Sequence, residues 1–302
     1  MRNATAFVLA VLVLVVVAVL TSATFATSLD SATSATSLDS ATSVSPASPV
    51  TPAPKKNSVV IGGTARDCAP YLSSVLARLD ELARCFGSAR FVFYESNSSD
   101  ATYETLRSFV AARDGVVLTE RTRGTRTERI AIGRNAVVAR AEQSGADFFV
   151  NVDMDDRCTD IDVPSVVECV SRSAEWDVAT SNRRDDYYDL WALRTSALGN
   201  CYAPGDACET HPLSDWFPSD PELVGARTFP NTKKRPYYDV LSAFAGLAVY
   251  KTSVIRGARY SGKARVAGMS GPECEHAPFH AAIRALSPGA RIVVATYMVS
   301  GP

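Results

Sequence analysis

The stretch Phe148-Phe149-Val150-Asn151-Val152-Asp153-Met154-Asp155-Asp156 runs from five residues of strand character straight into three carboxylates. An apolar run of this length, rich in aromatic and β-branched residues, reads as a strand buried on both faces. Carboxylates crowded at its end repel one another unless a cation neutralises them. Asp153 and Asp155, two apart on an extended backbone, project to the same side. Two such oxygen donors suit one hard divalent ion, and the plain alternative is a solvated acidic turn.

Upstream of this stretch, strand and helix patterns alternate. Ser58 to Ile61 reads as a short buried strand, with Gly62-Gly63 marking where the backbone turns or comes close to a ligand. A helix follows from about Pro70 to Cys85, carrying Leu72, Val75, Leu76, Leu79 and Leu82 at helical spacing. Arg90 to Tyr94 is the next strand, Thr102 to Ala112 a helix, Gly115 to Leu118 a strand and Arg129 to Gln143 a helix. This alternation predicts an α/β fold with a mostly parallel sheet covered by helices on both faces. Ligands in such folds bind beyond the carboxyl ends of the strands, where Asp153 and Asp155 lie.

The first 57 residues do not share this pattern. Ala6 to Leu20 is an unbroken run of 15 apolar residues, which reads as a cleaved secretory signal or an uncleaved signal anchor. Residues 27–35 (TSLDSATSA) and 36–44 (TSLDSATSV) form a tandem repeat, followed by a Pro-rich segment to Lys56. Ser, Thr, Ala and Pro without large apolar residues cannot repay the entropy of folding. The expected organisation is therefore a signal anchor or peptide over 1–26, a stem over 27–57 and one domain over 58–302. The stem favours the anchor and a lumenal, secretory-pathway location, as a type II membrane protein of the Golgi or endoplasmic reticulum; cleavage would release it. Asn97-Ser98-Ser99 is a glycosylation sequon, and of seven cysteines Cys201 and Cys208 flank a Pro/Gly loop as the expected disulfide. No Cys/His spacing points to zinc. With 31 basic and 32 acidic residues, the chain lacks the basic excess of a bulk nucleic-acid binder.

Three further clusters carry polar chemistry. Glu95 to Asp100 (ESNSSD) follows the second strand, offering groups for a base or ribose, or simply capping the helix at Thr102. Arg121, Arg123, Arg126, Arg129 and Arg134 precede Asn135; beside a carboxylate-bound metal, arginine suits a diphosphate, while the bland reading is a basic helix face. Glu273 to His280 (ECEHAPFH) holds two of the three histidines; Phe279 and His280 read as a packing face. Tyr237 to Lys251 reads as a strand around Gly246, with Ala243 and Ala245 small enough for a sugar to approach or a helix to pack.

Residues 59–72 (VVIGGTARDCAPYL), 91–102 (FVFYESNSSDAT), 129–138 (RIAIGRNAVV), 148–156 (FFVNVDMDD), 187–194 (YYDLWALR), 244–251 (FAGLAVYK) and 273–280 (ECEHAPFH), in that order, resemble the GT-A glycosyltransferases. Among these the chain is most similar to the fungal capsule-associated α-1,3-mannosyltransferase group and related eukaryotic and viral enzymes, over about residues 58–285. Asp153-Met154-Asp155 matches their D-x-D motif. The resemblance implies a Rossmann-like GT-A domain that transfers a sugar from a UDP- or GDP-linked donor to a glycan or protein hydroxyl. It implies that Asp153, Asp155 and His276 hold Mn²⁺ or Mg²⁺. Glu95, Asp100, Arg129, Arg134, Asn135 and Asp153 would then face the nucleotide donor. Residues 188–194 would form the acceptor side, with Asp189 and Glu275 as the catalytic carboxylates; the bland reading of this segment is a core strand burying Trp191 and Leu193. Two other functions fit the same residues: a metal-dependent nucleotidyl- or phosphotransferase, and a secreted carbohydrate-binding protein with an inactive site.

Overall fold

A computed structural model describes residues 57–197, 212–263 and 272–301. The apolar run, the stem and the Cys201/Cys208 pair lie outside the described residues. Within the described residues no helix is long and apolar enough to cross a membrane, and Cys68, Cys158, Cys169 and Cys274 are free thiols.

Eight strands form one sheet: β1 (Ser58–Ala65), β2 (Ser88–Glu95), β3 (Gly115–Thr119), β4 (Phe148–Val152), β5 (Val178–Asn182), β6 (Tyr237–Asp239), β7 (Leu247–Lys251) and β8 (Ile292–Val299). Their order is β3-β2-β1-β4-β7-β5-β8-β6. Strands β3, β2, β1 and β4 are parallel neighbours. Then β7 runs antiparallel between β4 and β5, and β6 antiparallel beside β8. The sheet is thus mixed rather than uniformly parallel. Among the described residues the α-helices are α1 (Ala69–Ala83), α2 (Thr102–Ala111), α3 (Arg126–Ser144), α4 (Val163–Ser171), α5 (Leu213–Trp216), α6 (Thr252–Ile255) and α7 (His276–Leu286).

Burial on both faces explains the strand sequences. Val59 and Ile61 of β1 join one core with Phe148 and Val150 of β4, while Val60 and Phe149 join the other. Period-2 alternation delivers successive side chains to opposite cores, so both parities must be apolar. On α1 the five spaced residues Leu72, Val75, Leu76, Leu79 and Leu82 are all buried. Helix α3 starts at a capping box, Thr125 with Glu128, and stops at Gly145 in the left-handed region.

Two sequence expectations change. Gly62 and Gly63 are neither a turn nor a ligand contact: they lie inside β1, where an added Cβ would sit 2.2 Å from the Val92 carbonyl and 2.1 Å from the Val152 carbonyl. Tyr237 to Lys251 is two strands, not one, because Ala245 (φ 57°) and Gly246 (φ 93°) take left-handed conformations that break the extended run.

The approach at Gly63 sets the spacing of β1 and β4, and hence the position of the acidic turn. Gly63→Ala should destabilise the domain by ~1–3 kcal/mol, the usual cost of overpacking a core. Urea denaturation followed by circular dichroism measures it; an unchanged midpoint would show that the strands separate freely.

Candidate functional site

Between β2 and β4, β1 is the strand at which the sheet's order reverses, and a cavity of about 630 Å³ opens beyond the carboxyl ends there. Thr64 and Ala65 at the end of β1, Arg66 after it, Tyr94 and Ser96 at β2, and Thr122 line one side. Arg126, Arg129 and Arg134 of α3 line the next. Asp153 to Arg157 after β4 form the middle, and Tyr188, Asp189, Trp191, Phe244, Glu275 and His276 the far side.

Arg134 organises this interior. Only 5% exposed, its guanidinium donates from Nη2 to Asp153 Oδ1 at 2.8 Å and from Nε to Glu275 Oε1 at 3.0 Å. It lies 4.7 Å from the centre of the Phe244 ring, a cation–π contact. Burial opposes its charge, but Asp153 and Glu275 outweigh burial and hold it protonated. Its Nη1 is buried without a hydrogen-bond partner, although Arg134 lines the cavity.

The carboxylates respond to the same surroundings. Burial pushes Asp153 up to about 6, with Arg134 opposing and Asp155 adding to the rise. Asp189 is pushed up to about 7, first by burial, against a hydrogen bond from the Ala245 amide. Asp155 accepts from the Arg157 amide at 3.1 Å, opening the short turn that follows β4.

His276 begins α7 with its ring stacked on Phe244 at 3.7 Å between centroids. Its Nε2 lies 3.5 Å from Glu275 Oε1, and neither ring nitrogen has a hydrogen-bond partner. Burial, then Arg134, push its pKa well down, so the ring is neutral. The expected Asp153/Asp155/His276 metal triad is not assembled: among the described residues no three His, Cys, Asp or Glu side chains converge on one point. Arg134 supplies Asp153 with a positive charge on the side facing Glu275 and His276. Two hard carboxylates remain, and they fit Mg²⁺ or Mn²⁺ in the manner of sites completed by substrate phosphate and water.

Three other expected donor contacts lie off the cavity wall. Glu95 closes its own loop, accepting from the Ser98 amide at 2.8 Å and the Thr119 hydroxyl at 3.2 Å. Asp100 accepts from the Ala69 amide at 3.0 Å and the Thr102 amide at 2.9 Å, so it ties the starts of α1 and α2. Asn135 clamps the Tyr260 backbone to α3 with bonds of 3.1 and 2.7 Å. Arg129 does line the cavity, as does Arg126, whereas Arg121 and Arg123 are exposed away from it. Residues 188–194 form no strand; Trp191 is half-buried on the cavity wall and Leu193 is buried.

Sequence reasoning missed Arg66, which directly follows the end of β1; its position at a strand's carboxyl end was the available signal. It also missed the Ser96–Thr122 hydroxyl pair at 2.7 Å and Arg157 over the Tyr188 ring at 4.4 Å, which join segments far apart in sequence.

No family model matches the chain, and no curated protein matches it. Solved structures do. S. aureus TarS aligns with a TM-score of 0.50 at 14% identity, over 80% of this chain and 36% of that one. The fold is GT-A. The mannosyltransferase PcManGT from Pyrobaculum calidifontis, in complex with GDP-Man and Mn²⁺, aligns at TM-score 0.48 and 12% identity, over 82% of this chain and 57% of that one. TarS 1–349 in complex with UDP-GlcNAc aligns at 0.48 and 14%, over 81% and 57%. This chain thus spans roughly a third to three-fifths of the length of these structures.

Removing Arg134 leaves the buried Glu275 and the partly buried Asp153 without a counter-charge. Arg134→Met should cost about 3–5 kcal/mol at neutral pH, measured by urea denaturation; a loss below 1 kcal/mol would show that the cluster is solvated. A second prediction concerns His280 on α7, buried between the Tyr250 hydroxyl at 3.1 Å and the Ser242 hydroxyl at 3.0 Å. Burial pushes its pKa down to about 3. Below pH about 6.5 the unfolded chain takes up a proton that the folded chain refuses, so stability falls as pH drops from there toward 3. His280→Gln should remove close to one proton from the slope of stability against pH between 6 and 4. Urea melts across that range measure the slope; an unaltered slope would mean that His280 protonates in the folded state.

Proposed function

We propose that this chain is a metal-dependent glycosyltransferase. It moves a sugar from a nucleotide diphosphate donor, GDP-mannose or a UDP-hexose, to a hydroxyl of a glycan or protein. The observation that carries the reading is one cavity in a GT-A fold that gathers Asp153 and Asp155 with Arg66, Arg126 and Arg129 at the sheet's reversal point. Hard carboxylates and guanidinium groups lining one cavity suit a metal-bound diphosphate, whose charge needs cations to neutralise it.

Asp153 and Asp155 would hold the divalent ion, which, when bound, acts as a Lewis acid on the leaving diphosphate. Arg66, Arg126 and Arg129, which line the same cavity, would neutralise the diphosphate's remaining charge and orient it. Trp191, half-buried on the cavity wall, offers an aromatic face to a sugar ring. Arg134 keeps Asp153 and Glu275 together at the floor, and its unpartnered Nη1 is a donor for a ligand oxygen. On the sequence of the stem and its apolar run, the enzyme belongs in the secretory pathway.

The test is a panel of UDP- and GDP-sugars incubated with the full chain, with Mn²⁺ and with EDTA. One donor should release free UDP or GDP with Mn²⁺ only, and Asp155→Ala should lower that release ~100-fold or more with an unchanged melting curve. Release of pyrophosphate instead would establish a nucleotidyltransferase, and full activity of the variant would refute the site.

A further inference from the structure

We propose that Arg121 and Arg123, continued by Arg126 at the mouth of the cavity, form a docking strip for an anionic glycan, a sugar chain carrying carboxylate, sulfate or phosphate groups. The inference rests on the glycosyltransferase reading and names the kind of acceptor that the site serves.

The strip stands out by its missing counter-charges. Elsewhere in the domain arginines find carboxylates: Arg78, Arg90, Arg113, Arg172, Arg259 and Arg291 each pair with an Asp or Glu at 2.6–3.1 Å. Among the described residues, Arg121, Arg123 and Arg126 have no such partner, and Arg129 donates only to the Gly124 carbonyl at 3.2 Å. The acids beside them are engaged elsewhere. Glu128 accepts from the Thr125 amide at 2.9 Å and pairs with Lys263 at 2.7 Å, while Glu120 accepts from the Tyr94 hydroxyl at 3.5 Å. The donor does not supply the missing charge either, because Arg121 and Arg123 lie outside the cavity lining.

This segment is also held in place. In Arg121-Thr122-Arg123-Gly124-Thr125-Arg126-Thr127 the threonines face the protein and the arginines face solvent. Thr122 is buried; its hydroxyl bonds to Ser96 at 2.7 Å and its carbonyl accepts from Asn97 Nδ2 at 3.1 Å. Thr125 caps α3, and the buried Thr127 hydroxyl donates to the Gly262 carbonyl at 2.8 Å. The backbone is therefore ordered before a partner arrives, which reduces the entropy lost on binding. Like charges fixed close together repel one another, and an anion between them relieves the repulsion.

The surface chemistry selects the occupant. Every cation of the strip is an arginine, whose planar fork matches carboxylate, sulfate and phosphate oxygens in pairs. The flanking exposed large apolar residues are Val116 and Ile132, so the segment between them presents none. A protein partner is gripped through aromatic or aliphatic anchors, and a membrane surface through inserted Trp, Phe or Leu. The strip offers neither. An anionic glycan needs only charge and hydrogen bonds from such a surface. Thr122 and Arg126 line the cavity while Arg121 and Arg123 lie beyond it, so one extended chain can follow the strip and reach the mouth.

The experiment measures fluorescence anisotropy with the full chain, Mn²⁺ and about 0.1 M salt, where charges act over ~10 Å. The probes are labelled oligogalacturonate, heparin oligosaccharide, phosphorylated maltooligosaccharide, neutral maltooligosaccharide and a polyglutamate peptide of similar length. At least one anionic glycan should bind ~10-fold or more tightly than the neutral one, and the ranking of the three identifies the charged group. The double variant Arg121→Ser/Arg123→Ser should weaken that binding about 10-fold. Its melting curve should be unaltered, and its affinity for UDP or GDP in Mn²⁺ should change less than twofold. Equal binding of neutral and anionic glycans, or a double variant that binds as well as the wild type, would overturn the proposal. So would polyglutamate binding more tightly than every glycan, which would assign the strip to an acidic protein. A parallel loss of nucleotide affinity in the variant would overturn it too, by giving these arginines to the donor. If the wild type binds an anionic glycan through Arg121 and Arg123 but neither UDP nor GDP, the glycosyltransferase reading fails and the docking strip stands.

Discussion

A single buried guanidinium connects the three segments on which the site depends. Arg134 reaches from the middle of α3 to the acidic turn after β4 and to the residue that opens α7. Without a cation there, Asp153 and Glu275 would repel each other in a poorly solvated interior, and one would have to protonate or turn away. With it, both carboxylates stay in place before any ligand arrives. The arrangement is a poor source of stability compared with an apolar core, since desolvating charges is costly. Its persistence is better explained by what it positions.

Position also explains how the cavity divides. The β1/β2 side and the start of α3 contribute hydroxyls and arginines, while the β5 side contributes aromatic rings and Asp189. Between them stands the acidic turn, at the reversal point of the sheet. The antiparallel β7 makes this possible: inserted between β4 and β5, it brings Phe244, Ala245 and Gly246 to the carboxyl end of β4. A parallel strand in that place would have presented its amino end elsewhere, and the link from Asp189 through the Ala245 amide and the Gly246 carbonyl to Asp153 would be lost.

Much of this was legible in the chain. Strands β1 to β4 and helices α1 to α3 announce themselves by period, because each buries a regular stripe against its neighbours. Asp153 and Asp155 stood out because carboxylates after a doubly buried strand need a reason. What was not legible depends on distance in sequence. Arg134 and Glu275 are 141 residues apart, and nothing local in either segment names the other. Local bonding misled in the opposite direction: Asp100 and Asn135 look like ligand contacts by residue type, yet backbone amides and carbonyls nearby absorb their polar atoms. The reversal of β7 was hidden because an apolar run does not state its direction, and Ala245 gives no compositional sign of a left-handed backbone.

The central claim is that Asp153 and Asp155, in one cavity with Arg66, Arg126 and Arg129, form a metal-assisted nucleoside diphosphate site. Calorimetric titration of UDP and of GDP into the full chain, with Mn²⁺ and then with EDTA, tests it without any assumption about sugar or acceptor. One nucleotide should bind in Mn²⁺ and lose at least ~10-fold in affinity in EDTA, as expected if Asp153 and Asp155 hold an ion that supplies positive charge to the diphosphate. Failure of both nucleotides to bind in Mn²⁺, or binding indifferent to EDTA, would contradict it.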